Sequence, residues 1–324
     1  MGRLSRWLLA AGVGALAAAA TVDALLGHGT EREPEVGRPA LPNPEAQAAL
    51  VRSLRQAGVV GTLVWSDARC VVHVLRLPSL RRGPAPAERS CRFVSSPGGG
   101  FSSGPAVPDA SGSLTARCRR GTTEVRTRYG LLVGRVSACG PAWRPGGALT
   151  AIRAGEIVEV EVVRGPPRLR TRLLFSAAKL DRLFRGDPWR FRTPRFRAVA
   201  WVDDGRMAAI VRDGGGQGDV LAVFRRGRLE GVTPAPYAGL ADIRVSPNGT
   251  FVAARISRPR ALVVVDRHGA LLPTPIPGGR GIAWSRDELW TAILTADTTY
   301  VVETATRGSR FVALPIRARD VFWR

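Results

Sequence analysis

The chain has 324 residues, 45% of them hydrophobic, and a formal net charge of +22 at pH 7. That hydrophobic content supports a sizeable core in one large domain or two ordinary ones, which excludes a chain that is disordered throughout. Nearly all the basic residues are arginine and no nucleic-acid recognition module is visible, so nucleic acid is not expected as a partner, although the excess charge should attract other polyanions.

The N-terminal segment, residues 1–27, has the composition of an export signal. A short basic start precedes sixteen uncharged residues, from Trp7 to Val22. This run is somewhat shorter than the about 20 apolar residues of a membrane-spanning helix, and Ala18–Ala20 offer a small-residue cleavage site. Residues 1–27 are therefore expected to be a signal peptide or a signal anchor, which places the rest of the chain outside the cytoplasm. A buried Ala-rich helix is the alternative.

Two short segments separate this start from the main body of the chain. Residues 28–43 are rich in proline and charge and show no periodicity, which predicts a linker. Residues 44–58 read as one amphipathic helix, because Leu50 and Leu54 share a face and Gly58 is suited to end it. Beyond Gly58 helical periodicity almost disappears.

The four cysteines fall into two pairs with the same spacing. Cys70 and Cys91 are 21 residues apart, and so are Cys118 and Cys139. An even number of cysteines in an exported chain indicates disulfides, and the matched spacing favours the pairings 70–91 and 118–139 among the three connectivities. Four free buried thiols are the alternative.

A repeated phrase organises the remaining sequence, residues 59–324. An aromatic or aliphatic residue is followed by a turn and an apolar strand, and the steps between equivalent positions are 36, 58, 44, 39 and 39 residues. Periods near 40 with four short strands per unit indicate a β-propeller, so the fold class is all-β, a six-bladed propeller. The repeated positions are expected to be blade-core residues; they are Trp143, Trp201, Val245, Trp284 and Trp323, with a degenerate copy at Val107.

The two ends of the propeller are expected to pair in one blade. In the favoured register the terminal sequence "ARDVFWR" supplies the innermost strand, beside strands from "GTLVWSDA", "CVVHVLRLPSL" and "SCRFVSSP". Such a closure removes an open sheet edge. In the alternative register "GTLVWSD" is itself a first strand and the C-terminus is the outer one. A helical insertion is predicted at 176–191, where Leu180, Leu183 and Phe184 form a stripe.

The repeats resemble the TolB-type propeller repeat. The similarity rests on "RVSPNGTFVAARI" with "LVVVDRHG", and on "AWSRDELWTAIL" with "TYVVETATRG", and it covers residues 141–324. This resemblance implies a propeller fold and, for an exported member, a role as an interaction scaffold. The departure is that Arg144 and Arg286 replace the turn Asp of the repeat, which puts any shared turn chemistry in doubt.

The sequence shows no catalytic constellation, and no metal or cofactor is expected. Neither a nucleophile elbow nor a His or Cys cluster at ligand spacing is present, since His28, His73 and His268 lie far apart. The other candidates are read as structural: an exposed polar face for Glu156, Glu159 and Glu161, turn residues for Asp203 and Asp204, and a mobile hairpin loop at 213–219.

The most economical function is therefore an exported, non-catalytic, monomeric propeller that serves as a scaffold or binding module for a protein of the cell envelope. Two alternatives stay open. One is a small-ligand or metal-assisted hydrolase site in the central channel. The other is an electrostatic tether to an acidic cell-wall polymer or an anionic lipid, which the arginine excess suggests.

Overall fold

The computed structural model describes residues 44–85, 91, 93–95, 101–103, 106–163, 168–185, 191–271, 276–304 and 311–324. The expected export segment, 1–27, and the linker, 28–43, lie outside these residues. In the part of the chain that is described, no helix is both long and apolar enough to cross a bilayer.

Two helices accompany the strands in the described part of the chain. Helix α1 spans Pro44–Ala57 and is followed by Gly58, whose φ of 75° suits a helix end. Helix α2 spans Ala177–Phe184, where the Ser176 hydroxyl accepts a hydrogen bond of 3.2 Å from the Lys179 amide and caps its start. Its Leu180 and Phe184 are buried, as the predicted stripe requires.

Six four-stranded antiparallel sheets form the blades of a six-bladed β-propeller. Blade 1 contains β1 (Gly61–Ser66), β2 (Val72–Leu77), β3 (Arg81–Arg82) and the C-terminal strand β26 (Asp320–Trp323), and β4 (Phe93–Ser95) and β5 (Phe101–Ser103) form a separate hairpin. Blade 2 contains β6 (Ala106–Pro108), β7 (Leu114–Arg119), β8 (Thr122–Thr127) and β9 (Leu132–Val136). Blade 3 contains β10 (Cys139–Trp143), β11 (Leu149–Arg153), β12 (Glu156–Val163) and β13 (Arg168–Phe175).

The other three blades follow in chain order. Blade 4 contains β14 (Arg195–Trp201), β15 (Arg206–Arg212), β16 (Asp219–Arg225) and β17 (Arg228–Val232). Blade 5 contains β18 (Leu240–Val245), β19 (Phe251–Ile256), β20 (Ala261–Asp266) and β21 (Ile276–Pro277). Blade 6 contains β22 (Gly281–Trp284), β23 (Trp290–Leu294), β24 (Thr299–Glu303) and β25 (Phe311–Leu314).

The C-terminal strand closes blade 1 in the favoured register. Strand β26 lies at the start of the sheet order β26-β1-β2-β3 and pairs Trp323 with Leu63 and Asp320 with Ser66. The C-terminus is therefore the first strand of its blade and not the outer one. The expectation that residues 90–97 supply another strand of this blade is wrong, because Arg81–Arg82 already pairs with β2 in the fourth position.

The cores lie between neighbouring blades, where the apolar faces of the sheets meet. Trp143 packs between blades 2 and 3, Trp201 between blades 3 and 4, Trp284 between blades 5 and 6, and Trp323 between blades 6 and 1. Val245 is only partly buried, between blades 4 and 5. Each repeated position therefore contacts the preceding blade, so the repeat places one packing residue at each of these five interfaces.

The two ends of the propeller carry different loops. We call the end where the first strand of each blade turns into the second the A end, and the opposite end, where second strands turn into third strands, the B end. At the A end adjacent turns are joined: Asp204 Oδ1 accepts from the Gly146 amide at 2.7 Å, and Glu288 Oε1 accepts from the Asn248 amide at 2.6 Å. These hydrogen bonds join blade 3 to blade 4 and blade 5 to blade 6, turn to turn.

Both disulfides lie at the B end. Cys70, in the turn between β1 and β2, is bonded to Cys91, and Cys118, near the end of β7, is bonded to Cys139 at the start of β10. The second disulfide joins blade 2 to blade 3. These are the pairings that the spacing favours, and in the described residues no cysteine is free.

Candidate functional site

In the described part of the chain, no three His, Cys, Asp or Glu side chains come together in a way that could hold a metal ion. His73 Nε2 lies 3.0 Å from Asp67 Oδ2 and its ring stacks on Trp65. His268 of blade 5 has its Nδ1 atom 2.9 Å from Glu230 Oε1 of blade 4, far from the pair in blade 1. His28 is outside the described residues. The histidines that are described serve two separate pairs.

Two of the three glutamates of β12 differ from the expected exposed face. Glu159 is only 5% exposed, so its expected exposure is wrong. It is paired with Arg172 on β13, and Arg144 lies 3.9 Å away with its guanidinium over the Trp201 ring. Burial against the next blade explains the difference. Glu156 accepts from the first amide of helix α2, and Glu161 is exposed.

The acids at the two ends of the glycine-rich loop hold the loop and its surroundings. Asp213 is buried and accepts from the Arg192 amide at 2.6 Å and the Gln217 amide at 3.1 Å. Asp219 is fully buried and receives a two-pronged hydrogen bond from Arg212. Asp203 likewise accepts from the amides of Gly205 and Arg206, as a turn residue does.

A cavity of about 320 Å³ opens at the B end, where the first strands of blades 5, 6 and 1 begin. Its charged lining comprises Asp242, Arg244, Arg255, Arg280, Arg319 and Asp320. Four arginines thus face two aspartates, which leaves two positive charges in excess. The cavity is the part of the described chain in which polar side chains from several blades converge.

Asp320 holds the inner wall of the cavity together. The Arg244 guanidinium lies 2.6 and 2.7 Å from its two carboxylate oxygens, and the Phe93 amide donates to Oδ2 at 2.6 Å. Arg244 belongs to blade 5 and Asp320 to blade 1, so the ion pair passes in front of blade 6. Gly281 of blade 6 lies beside the pair, since a Cβ at that position would be in ordinary contact with Asp320 Oδ1, at 3.8 Å. The pair therefore bridges blades that are not neighbours.

A second ion pair occupies the wall of blade 5. The pairing of β18 with β19 shifts between Ala241 and Arg244, and within this bulge Asp242 has a φ of 56°. Its carboxylate lies 2.7 Å from Arg255 Nη2 and 3.0 Å from Nε. Bulges re-aim side chains at sites of this kind. Both aspartates of the cavity are thus neutralised by arginines of blade 5.

Arg280 and Arg319 supply the remaining positive charge at the rim. Both are exposed, and neither has a carboxylate within 4.0 Å among the residues that the structure describes. The Arg319 Nη1 atom lies 3.9 Å from Cys70 Sγ, beside the disulfide that borders the cavity. A guanidinium presents a planar fork of donors that suits a carboxylate or phosphate. Two guanidinium groups at the rim therefore have no carboxylate partner among the described residues, in a cavity whose charged lining has a net positive charge.

Sequence reasoning missed this site, although a signal for it exists in the repeats. Counted back from the repeated residue, Arg280 and Arg319 both stand four positions before a tryptophan, at Trp284 and Trp323. Asp242 and Asp320 both stand three positions before the repeated residue of their blades. Aligning the repeats on their repeated positions thus places in the same alignment columns four of the charged residues that meet at the B end.

Comparison with known proteins finds only distant similarity, to solved structures. No protein-family model matches the chain, and no curated protein matches it. The chain is similar to the Dos1 propeller, with 9% identity, a TM-score of 0.47, and 65% of this chain and 57% of that one covered, so it spans little more than half of that chain's length. It is also similar to the β-propeller domain of Cps50 (Swd1) from Myceliophteria thermophila, with 13% identity, a TM-score of 0.45, and 78% and 83% covered. A chain in a structure of the mitotic checkpoint complex is similar with 13% identity and a TM-score of 0.49, and the match covers 80% of this chain and 77% of that one. The TolB-type resemblance is not confirmed by any of these matches.

Proposed function

We propose that this chain is a non-catalytic, extracytoplasmic binding module whose B-end cavity takes a carboxylate-bearing segment of an envelope protein. One observation carries the proposal: Arg280 and Arg319 have no carboxylate partner among the described residues, and they lie at the rim of a cavity whose own acids are already paired. In such a concave site the unbalanced charge attracts an anion, and desolvation strengthens each charge-assisted hydrogen bond.

The size of the cavity favours a short protein segment. About 320 Å³ is at the small end of ligand pockets, enough for one or two acidic side chains or a chain terminus. A long polymer would instead need an extended groove. The walls are already rigid, since the ion pairs of Asp320 and Asp242 fix them before a ligand arrives, which lowers the entropic cost of binding.

The disulfides support the extracytoplasmic part of the proposal. Disulfides persist outside the cytoplasm and are rare within it. Here one of them, Cys70–Cys91, borders the cavity. It fixes Cys91, two residues before Phe93, whose amide donates to Asp320 in the cavity wall. An oxidising compartment therefore favours the cavity in its assembled form, and the sequence of residues 1–27 is in keeping with export.

The test is calorimetric titration of the protein with hexaglutamate, with hexaglutamine as the uncharged control peptide. The double variant Arg280→Gln, Arg319→Gln should weaken hexaglutamate binding by about tenfold or more, since hydrogen bonds between charged groups contribute roughly 1.5–3 kcal/mol each. A matched variant, Arg258→Gln with Arg260→Gln, removes two exposed arginines of the same end that do not line the cavity, and should leave the affinity within about twofold.

The outcomes separate the proposal from its rivals. An equal loss of affinity in both double variants would show that general charge drives binding, which favours the electrostatic tether. Hexaglutamine binding as tight as hexaglutamate binding would show that the rim arginines recognise no carboxylate, and would overturn the proposal.

A further inference from the structure

Exposed apolar side chains are concentrated at the A end of the propeller. Eight large hydrophobic residues are exposed in the described part of the chain: Val60, Tyr129, Leu131, Leu132, Val162, Leu173, Leu289 and Phe311. Six of them, all except Leu173 and Val60, lie in or near a connection between first and second strands or between third and fourth strands. Those connections are at the A end of every blade. Val60 precedes β1, whose start is hydrogen-bonded to Arg324 at the end of β26, so it lies at the same end.

These seven residues also fall on consecutive blades. Leu289 and Phe311 belong to blade 6, Val60 to blade 1, Tyr129, Leu131 and Leu132 to blade 2, and Val162 to blade 3. Blades 4 and 5 instead carry an ion network at this end, in which Glu230 binds both Arg206 and His268. We call the seven residues the apolar crescent. It covers one side of the A end and stops where the network begins.

The charges beside the apolar crescent are positive. Arg128 and Arg286 are exposed in A-end turns of blades 2 and 6, and Arg81 is exposed at the A-end start of β3 in blade 1. The acids in these turns are engaged: Asp287 accepts from the Ser285 hydroxyl and the Leu289 amide, and Asp109 accepts from the Ser113 hydroxyl and the Leu114 amide. Apolar tips therefore alternate with arginines that can meet an anionic surface.

The most exposed part of the apolar crescent has the chemistry of a membrane interface. Tyr129 is 74% exposed and Leu131 is 68% exposed, at the tip of the turn between β8 and β9. The Arg128 guanidinium lies 4.5 Å from the centre of the Tyr129 ring. An amphipathic ring beside an arginine, with an exposed leucine two residues further on, is suited to the boundary between headgroups and acyl chains.

We propose that the apolar crescent docks on the surface of a bilayer that contains anionic lipid. The arginines match the charge of such a surface, and protruding tips can enter a fluid headgroup layer without a preformed pocket. Helix α1 packs against blades 1 and 6, both of which contribute to the crescent. Residues 28–43, which separate α1 from the expected export segment, have an extended reach of at most about 55 Å, so a retained segment would keep the crescent near the membrane.

The docked orientation leaves the B end facing away from the bilayer. The anion cavity and both disulfides are at that end, so the two surfaces can work at the same time. The inference does not depend on the proposed function, because it rests on residues of the opposite end, and each can fail alone.

Amide hydrogen exchange of the full chain, mixed with vesicles, tests the inference. The vesicles combine phosphatidylcholine with about a quarter phosphatidylglycerol, in keeping with an anionic leaflet. Exchange should slow several-fold in segments 128–132 and 285–289, at the A end, and stay unchanged in segment 257–260, at the B end. This position-resolved measurement works even where residues 1–27 hold the chain on the vesicle.

A matched pair of variants identifies the contact. Tyr129→Ser with Leu131→Ser should abolish the slowing in segment 128–132 and reduce it in segment 285–289, because the docked face is shared. Leu173→Ser, the one exposed large hydrophobic residue of the described chain outside the apolar crescent, should change neither. Both sites are exposed, so folding should not be affected.

Three outcomes would overturn the proposal. The first is unchanged exchange at the A end while the chain remains on the vesicles, which would mean that only the N-terminal segment holds it. The second is equal slowing on pure phosphatidylcholine, which would remove the role of anionic lipid. The third is slowing of the same segments without vesicles, accompanied by a dimer in sedimentation, which would assign the apolar crescent to a second copy of this chain.

Discussion

Asp320 is the residue through which the closing strand, the β4–β5 hairpin and blade 5 are connected. Its side chain is only 7% exposed and that of Arg244 15% exposed, so the pair is largely desolvated. Asp320→Asn would leave the Arg244 charge without its counterion, and we expect a loss of about 3 kcal/mol in the free energy of unfolding. Urea denaturation followed by tryptophan fluorescence measures it.

The control for Asp320 is another aspartate–arginine pair. Asp297 and Arg317 lie 4.0 Å apart and both side chains are highly exposed. Asp297→Asn should change the free energy of unfolding by less than about 0.5 kcal/mol, since exposed pairs contribute little. Equal effects of the two substitutions would mean that the ion pair of Asp320 is not a structural bridge.

Glu230 should give the stability a measurable dependence on acid pH. Hydrogen bonding from Arg206, helped by His268, lowers the pKa of Glu230 from 4.5 to about 2. Because the folded pKa is lower than the unfolded one, the contribution of Glu230 is fully present above pH 4.5 and is lost as the pH falls towards 2.

Denaturant midpoints measured between pH 6 and pH 2 test this dependence. Glu230→Gln should lower the midpoint near neutral pH, by the equivalent of about 1 kcal/mol after solvent screening, and the difference from wild type should vanish near pH 2. Glu161→Gln, at an exposed carboxylate of β12, should leave the profile unchanged. A difference that persists undiminished at pH 2 would contradict the assignment.

At the scale of elements, the closing strand should decide whether the propeller forms. Strand β26 pairs the C-terminus with β1, which begins at Gly61. It also contributes Val321 and Trp323 to the core between blades 6 and 1. Deletion of residues 320–324 exposes those core faces and the edge of β1, so cooperative unfolding and the near-ultraviolet circular dichroism of the aromatic core should be lost.

A milder substitution tests the same contact where the truncated chain does not fold. Gly61 has a φ of 129°, and a Cβ there would collide with the indole nitrogen of Trp323. Gly61→Ala should therefore cost about 3 kcal/mol of unfolding free energy. Gly205→Ala, in an A-end turn where a Cβ meets only ordinary contacts, serves as control. A normal melting temperature for the deletion or for Gly61→Ala would show that closure is not required.

Periodicity predicted the elements that are repeated and failed for those that are not. The tryptophans mark packing between blades, so their spacing could be read directly from the sequence. The strand Arg81–Arg82 consists of two exposed residues and shows no apolar alternation in the sequence, so the sequence pattern favours residues 90–97 for that blade instead. The burial of Glu159 also escaped prediction, because it depends on Arg144 and Trp201 of other strands.

The anion cavity could be predicted only in part from the sequence, for a related reason. Four of its six charged residues occupy equivalent positions in the repeats, but which of them are paired depends on distances between blades. The bond between Arg244 and Asp320 joins residues 76 apart in sequence and skips a blade. No local pattern encodes such a contact, whereas the repeat that positions both residues is visible in the sequence.

At the scale of the whole molecule, the question is whether the net charge or the cavity determines binding. The chain has 48 basic residues, and the double variant Arg280→Gln, Arg319→Gln retains 46 of them. Attraction to a long polyanion depends on the summed charge and is screened over about 10 Å at 0.1 M salt. The two substitutions should therefore change polyacrylate binding only slightly at any ionic strength.

Binding at the cavity should respond in the opposite way. Hexaglutamate contacts few charges, so its affinity at physiological salt should depend on the two rim arginines and fall by about tenfold in the double variant. Measuring both ligands over a salt series, with wild type and variant side by side, separates the two effects. If polyacrylate binding falls as steeply as hexaglutamate binding, the cavity is itself the polymer site and the chain is a tether. If only hexaglutamate binding falls, the net charge supports solubility and approach, while the cavity selects the partner.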